Sequence, residues 1–147
     1  MSINKVFAIV DDESSFRLRF RLVLQKVGIS IQSFLDFDNS DGLIEAYQKD
    51  SKPFAVFIDI NLKSGGMFAN GLDLVKEIRA KYNGISIIAV VSTSNRKEEI
   101  DKARLNGANC YIVKSGSLDI FSKRMTEFKN LYLDGNEKSF KVFGDVV

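Results

Sequence analysis

The chain has 147 residues, enough for one domain with a substantial core and too few for two of typical size. Its 21 basic and 19 acidic residues leave a net charge of +2, a balance that predicts no affinity for nucleic acid. It contains no histidine and one cysteine, Cys110, which excludes a disulfide framework, histidine-dependent catalysis and a cysteine-based zinc site; any metal is left to oxygen ligands and so to Mg²⁺, Mn²⁺ or Ca²⁺.

Residues 1 to 10 lack a secretory signal pattern, and no stretch approaches the ~20 apolar residues of a membrane helix. A cytoplasmic protein without a membrane partner is expected. The first apolar run is "VFAIV", residues 6 to 10, and Asp11, Asp12 and Glu13 follow it directly. Two carboxylates ~4 Å apart repel by roughly 4 kcal/mol at the effective dielectric near a protein surface. Such acids cap a helix, diverge into water or share a cation. A helical stripe of Phe16, Phe20, Val23, Leu24 and Val27 comes next, with Gly28 as its stop. The second run is "ISIQSF" (29 to 34), followed by a helix that Ser40 caps and that turns Leu43, Ile44 and Tyr47 inward.

The third run, "FAVFIDI" (54 to 60), carries Asp59 at its end. A stripe of Leu72, Val75, Ile78 and Tyr82 marks the third helix. The fourth run is "ISIIAVV" (85 to 91), after which come Ser92, Thr93 and Ser94. Asn95 followed by Glu98 resembles a capping box, opening a helix with Ile100 and Ala103 inward and Gly107 beyond its end. "CYIV" (110 to 113) is the fifth run and leads into Lys114. Ser117 is placed to cap the last helix, with Leu118, Phe121, Met125, Phe128 and Leu131 as its stripe. The tail, 134 to 147, is set apart from a domain of residues 1 to 133; its "SFKVF" reads either as a short extra strand or as a loosely docked end.

Five alternating strand and helix patterns predict an α/β fold, a (βα)₅ doubly wound parallel sheet of five strands. The third and fourth runs are continuously apolar, as strands buried on both faces are. The ligand site of such a sheet lies beyond the carboxyl ends of its strands. Asp11, Asp12, Asp59, Ser92 and Lys114 then share one edge. Singly, each has a plainer role: helix cap, turn former, or a lysine reaching to solvent. Together they describe a hard-cation site beside an ammonium.

In this set the chain resembles the response-regulator receiver domain of two-component signalling, over residues 5 to about 132, in the manner of a single-domain chemotaxis-type regulator. The resemblance rests on Asp11 and Asp12, Asp59, Ser92, Lys114 and Tyr111 in "GANCYIVK". It implies a flavodoxin-like sheet in strand order 2-1-3-4-5. Asp59 would be the phosphoacceptor. Asp11, Asp12, Asp59 and the backbone carbonyl of Asn61 would bind Mg²⁺, or Mn²⁺ in its place. Lys114 and Ser92 would hold the phosphoryl group, and Ser92 with an inward-turning Tyr111 would form the switch.

The implied donor is a sensor histidine kinase or a histidine phosphotransfer protein. The signal would pass to an output protein through the fourth helix, fifth strand and last helix, near Arg96, Lys97, Lys102 and Arg104. The same face would serve a monomer or a weak homodimer. Slow autodephosphorylation is the only turnover implied, so a conventional enzyme is not expected.

The chain departs from the family pattern at three places. Ser115 follows Lys114 where the family has proline, so a trans bond or a strained loop is expected. "INLKSGGMFAN" (60 to 70) is longer than usual and reads as a mobile flap, or a partner contact, with Met67 and Phe68 exposed. Thr93 replaces a smaller residue and, with Asn61 and Ser94, is expected to tune dephosphorylation. Two other functions stay open: a Mg²⁺-dependent phosphatase or phosphotransferase with an aspartyl nucleophile, and a degenerate receiver that binds partners without phosphorylation.

Overall fold

The computed structural model describes residues 5–30, 33–49, 52–62, 65–82 and 86–147. Five βα units follow one another: β1 (Val6–Val10), α1 (Ser14–Lys26), β2 (Ser33–Phe37), α2 (Ser40–Gln48), β3 (Ala55–Ile58), α3 (Gly71–Lys81), β4 (Ile87–Ser92), α4 (Lys97–Leu105), β5 (Cys110–Val113) and α5 (Leu118–Phe128). A π-helical turn, Lys129–Leu133, prolongs α5, and β6 (Lys141–Phe143) follows it. The strands form one sheet in the order β2-β1-β3-β4-β5-β6, with every neighbouring pair parallel. None of the described helices is long and apolar enough to cross a membrane.

Alternation along each strand divides the core in two. Phe7, Ile9, Phe57, Val91 and Ile112 point to the side covered by α1 and α5. Ala8, Val10, Ile58, Val90 and Tyr111 point to the side covered by α2, α3 and α4. Strands buried on both faces need no polar positions, which is why the third and fourth runs read as unbroken apolar stretches.

The doubly wound sheet is the one expected, but it has six strands where five were expected. Of the two readings of the tail, the strand is the one that forms: Cys110 pairs with Lys141, Tyr111 with Val142 and Ile112 with Phe143. Phe143 is buried, and the Tyr132 ring meets it edge-on at 6.2 Å. Tyr132 is also within hydrogen-bond reach of the Asn109 and Ser139 carbonyls, at 2.9 Å each. These long-range contacts, not the propensity of three residues, decide the pairing. In consequence β5 is no longer an edge strand, and the surface expected to show α4, β5 and α5 carries β6 beside them.

Smaller corrections are local. Residues 31 and 32 of the second run lie outside the described residues, and the strand begins at Ser33, beyond buried Ile29. Residue 85 of the fourth run also lies outside them. Asn39, not Ser40, caps α2, accepting from the Asp41 amide at 2.9 Å. The capping box at Asn95 does not form. Arg96 occupies the cap position of α4 without a side-chain bond, and the Ser94 hydroxyl donates to Glu99. Ser117 caps α5 as expected, accepting from the Ile120 amide at 3.2 Å. Leu118 falls off the buried stripe and is 44% exposed.

Candidate functional site

The backbone ladder runs one residue past the carboxyl ends of three strands. The Asp11 amide donates to the Phe37 carbonyl at 3.1 Å, the Asp59 amide to Val10 at 3.0 Å and the Lys114 amide to Ser92 at 2.8 Å. Asp11, Asp59 and Lys114 therefore each start from a fixed backbone, although none of the three belongs to a regular strand. Their side chains converge on Lys114. Its Nζ lies 2.7 Å from Asp11 Oδ2, 3.6 Å from Asp59 Oδ2 and 3.9 Å from the centre of the Phe16 ring. A buried ammonium between two carboxylates and an aromatic face is held by charge on both sides.

Asp11 is almost fully buried, and its Oδ1 accepts the Glu13 amide at 2.9 Å. Carboxylate oxygens of Asp11, Asp12 and Glu13 come within 4.8 Å of one another. Glu13 was not among the expected ligands; the signal for it was its place as the third consecutive acid. Asp59 stands outside that trio and is joined to it through Lys114. Its Oδ1 accepts the Ile60 amide at 2.9 Å. Burial pushes the Asp59 carboxyl up to about 6, against the pull of Lys114 and with the repulsion of Asp11 and Asp12 added.

Ser92, at the end of β4, is buried and its hydroxyl accepts the Ser94 amide at 3.2 Å. Tyr111 is fully buried, with its hydroxyl donating to the Ser94 carbonyl at 2.7 Å. The inward orientation assigned to a phosphorylated form is thus already adopted here. Ser94 sits between Tyr111 and Glu99, bonded to both. Thr93 is exposed and lines a small cavity with Phe16, Arg19, Lys114 and Ser115. Among the described residues no peptide bond is cis, so Lys114-Ser115 is trans.

Asn61 is exposed and its backbone bridges Asn70 in antiparallel fashion. The Leu62 amide donates to Ala69 at 2.9 Å and that of Gly71 to Ile60 at 2.6 Å. Residues 63 and 64 lie outside the described residues. The rest of the segment read as a mobile flap is tied to α2: the Met67 amide donates to Asp41 Oδ1 at 2.9 Å and that of Phe68 to Ser40 Oγ at 3.0 Å. Met67 is exposed, but Phe68 packs against the core. Gly71 borders the candidate site, a role the sequence did not disclose. A Cβ there would lie 1.9 Å from the Asp59 carbonyl oxygen, so only glycine lets α3 start this close to the strand end.

The family model of the response regulator receiver domain matches residues 7–125. Among curated proteins no sequence matches. The Mn²⁺-bound form of response regulator Rcp1 superposes with a TM-score of 0.74 at 19% identity, covering 91% of this chain and 98% of that one. The isolated receiver domain of RcsB from Salmonella enterica serovar Typhimurium, in the presence of the phosphomimetic BeF₃⁻, gives 0.73 at 17%, covering 95% and 94%. Response regulator RPA3017 in red light signaling of R. palustris gives 0.76 at 17%, covering 90% and 96%.

Proposed function

The chain belongs to the response regulator receiver domain family, and from that premise we propose that Asp59 accepts a phosphoryl group from a phosphohistidine. An Asp59 carboxylate oxygen forms the new O–P bond as the P–N bond breaks, and the electron pair leaves with the imidazole nitrogen. The donor histidine must come from a kinase or phosphotransfer protein, since this chain has none. The observation that carries the reading is the placement of Asp59: buried, one oxygen fixed by the Ile60 amide, the other facing Lys114, beside an acidic trio.

The donor set suits a hard divalent cation, because it offers carboxylate oxygens and neither thiolate nor imidazole. Asp11 and Asp12 would hold it with Asp59 and the Asn61 carbonyl, and Glu13 lies close enough to share. Bound Mg²⁺, or Mn²⁺, supplies neutralisation of the charge on the transferring group. Lys114 does the same from the protein side, Asp11 holding its ammonium in place. Phosphorylation puts several strong acceptors where one carboxylate stood. Ser92 is the hydroxyl that answers them. Tyr111, through the Ser94 carbonyl, passes the change to the start of α4 and to a surface bearing Arg96 and Lys97, where an output protein reads it. Thr93, at the rim of the cavity beside Lys114, together with Asn61 and Ser94, sets the rate of hydrolysis.

Incubation with Mg²⁺ and phosphoramidate, followed by intact-mass measurement, tests the reading. One added phosphoryl group is expected, absent in Asp59→Asn and absent when the metal is chelated. Labelling that persists in Asp59→Asn would remove the proposal. Multiple turnover of small phosphoesters would favour the phosphatase alternative instead.

A further inference from the structure

Lys114 opens a loop, Ser115-Gly116-Ser117, whose own sequence does little to hold it. A Cβ at Gly116 would meet nothing within 4 Å, and the one internal bond runs from the Ser117 amide to Ser115 Oγ at 3.1 Å. Yet the Lys114 ammonium keeps short contacts with Asp11 and the Phe16 ring. The restraint comes from outside the loop. A guanidinium from α1, Arg19, donates to the Ser115 carbonyl and lies 6.0 Å from the centre of the Phe121 ring. A second guanidinium, Arg124 of α5, donates to the Val113 carbonyl at 2.8 Å. The carbonyls on either side of Lys114 are therefore each gripped by an arginine, and its own amide is bonded to Ser92.

We propose that Arg19 and Arg124 are positioning residues that clamp the two carbonyls flanking Lys114 and so aim its ammonium at Asp59. The inference rests on the phosphoacceptor reading for its consequence, though not for its geometry. Both arginines are half-buried and both face carbonyls, where a fork of fixed N–H donors is better suited than a flexible ammonium. The tail contributes space. At Gly144 (φ +132°) a Cβ would lie 2.7 Å from Val113 Cβ and 3.3 Å from Arg124 Cζ, so glycine just after β6 leaves Arg124 room to reach its carbonyl. A displacement of the ammonium by about 1 Å is enough to slow a positioned reaction by up to a hundredfold.

Arg19→Met and Arg124→Met test the clamp, since methionine keeps an apolar stem and removes every donor. The readout is the NMR shift of the Lys114 ε-methylene, displaced by the Phe16 ring current, in metal-free unphosphorylated protein; Phe16→Leu identifies the signal. Each arginine variant should move it towards the random-coil position. Phosphorylation by phosphoramidate with Mg²⁺ should slow roughly ten- to hundredfold, and Arg19→Lys, which restores a donor, should recover part of both effects. An unmoved ε-methylene signal in the folded methionine variants overturns the proposal, whatever the labelling rate. Where Arg19→Met does not fold, Arg124→Met carries the same test. If the arginine variants move the ε-methylene signal but wild-type protein never takes phosphoryl on Asp59, the phosphoacceptor reading fails while the clamp stands.

Discussion

The two faces of the sheet are built from the same strands but held by different means. Towards α1 and α5 the core is a chain of rings: Phe20 meets Phe57 at 4.7 Å, Phe57 meets Phe128 at 5.2 Å, and Phe128 stacks on Tyr132 at 5.5 Å. Towards α2, α3 and α4 the core is largely aliphatic, and buried and part-buried hydrogen bonds run through and around it. Tyr47 donates to Ser86 at 2.9 Å, Arg79 to Asn109 at 2.8 Å and Tyr111 to the Ser94 carbonyl. Ring packing has one good arrangement and resists change. A single bond such as that of Tyr111 to the Ser94 carbonyl can be exchanged for another at small net cost. The first face provides the platform for Lys114, through Phe16; the second carries Tyr111, which links the site to α4. The division of labour follows from strand alternation, because neighbours such as Phe57 and Ile58 point to opposite sides.

The largest expected effect breaks the aromatic chain. Phe57→Ala should cost about 3–5 kcal/mol, whereas Ile58→Val, one residue along and on the other face, should cost about 0.5–1.5 kcal/mol. Urea midpoints compare them directly, and equal losses would show that the ring chain holds the fold no more firmly than the aliphatic side.

Asp59, just past the end of β3, gives the next. With its carboxyl raised to about 6 from an ordinary 3.8, the folded protein binds more protons than the unfolded chain between those values. Stability therefore falls as pH rises through that window and stays lowered above it. Asp59→Asn should stabilise the metal-free protein by about 1–3 kcal/mol at pH 7.5, a gain that shrinks as pH falls from 6 to 4. Denaturant titrations across that range check it, and a gain independent of pH would contradict the burial argument.

Gly71→Ala sharpens the comparison on the aliphatic side. The added methyl must displace either α3 or the Asp59 backbone, at about 1–3 kcal/mol, and phosphoryl labelling should fall with it. Wild-type labelling in a folded Gly71→Ala protein would show that the close approach is dispensable.

The smallest effect belongs to Tyr111→Phe. Losing the bond to Ser94 should cost about 0.5–1.5 kcal/mol, while labelling of Asp59 stays near wild type and the amide shifts of α4 change. If those shifts stay in place, Tyr111 is a core residue without a switching role.

Much of this arrangement was legible in residue order. Continuous apolar runs gave β3 and β4, helical stripes gave the buried sides of α1 and α3, and the residues ending each run gave Asp11, Asp59, Ser92 and Lys114. Errors fell where a local signal competed with a distant contact. Asn95 and Glu98 fit a capping box, but the helix starts one residue later, with Arg96 at the cap, and Ser94 beside it is engaged with Tyr111 and Glu99. The segment around Met67 looked loose because glycine and exposed apolar residues mark mobility in isolation; Ser40 and Asp41, more than twenty residues earlier, hold it down.

By itself, the order of residues determined the alternation of strands and helices and the set of charged groups beyond one edge. Hydrophobic period and strand ends are properties of contiguous residues, so they survive without a structure. The sixth strand, the inward Tyr111, the gap that Gly71 keeps and the two arginines around Lys114 were decided only in three dimensions. Each depends on which distant backbone carbonyl or side chain a group reaches, and a linear pattern does not encode that distance.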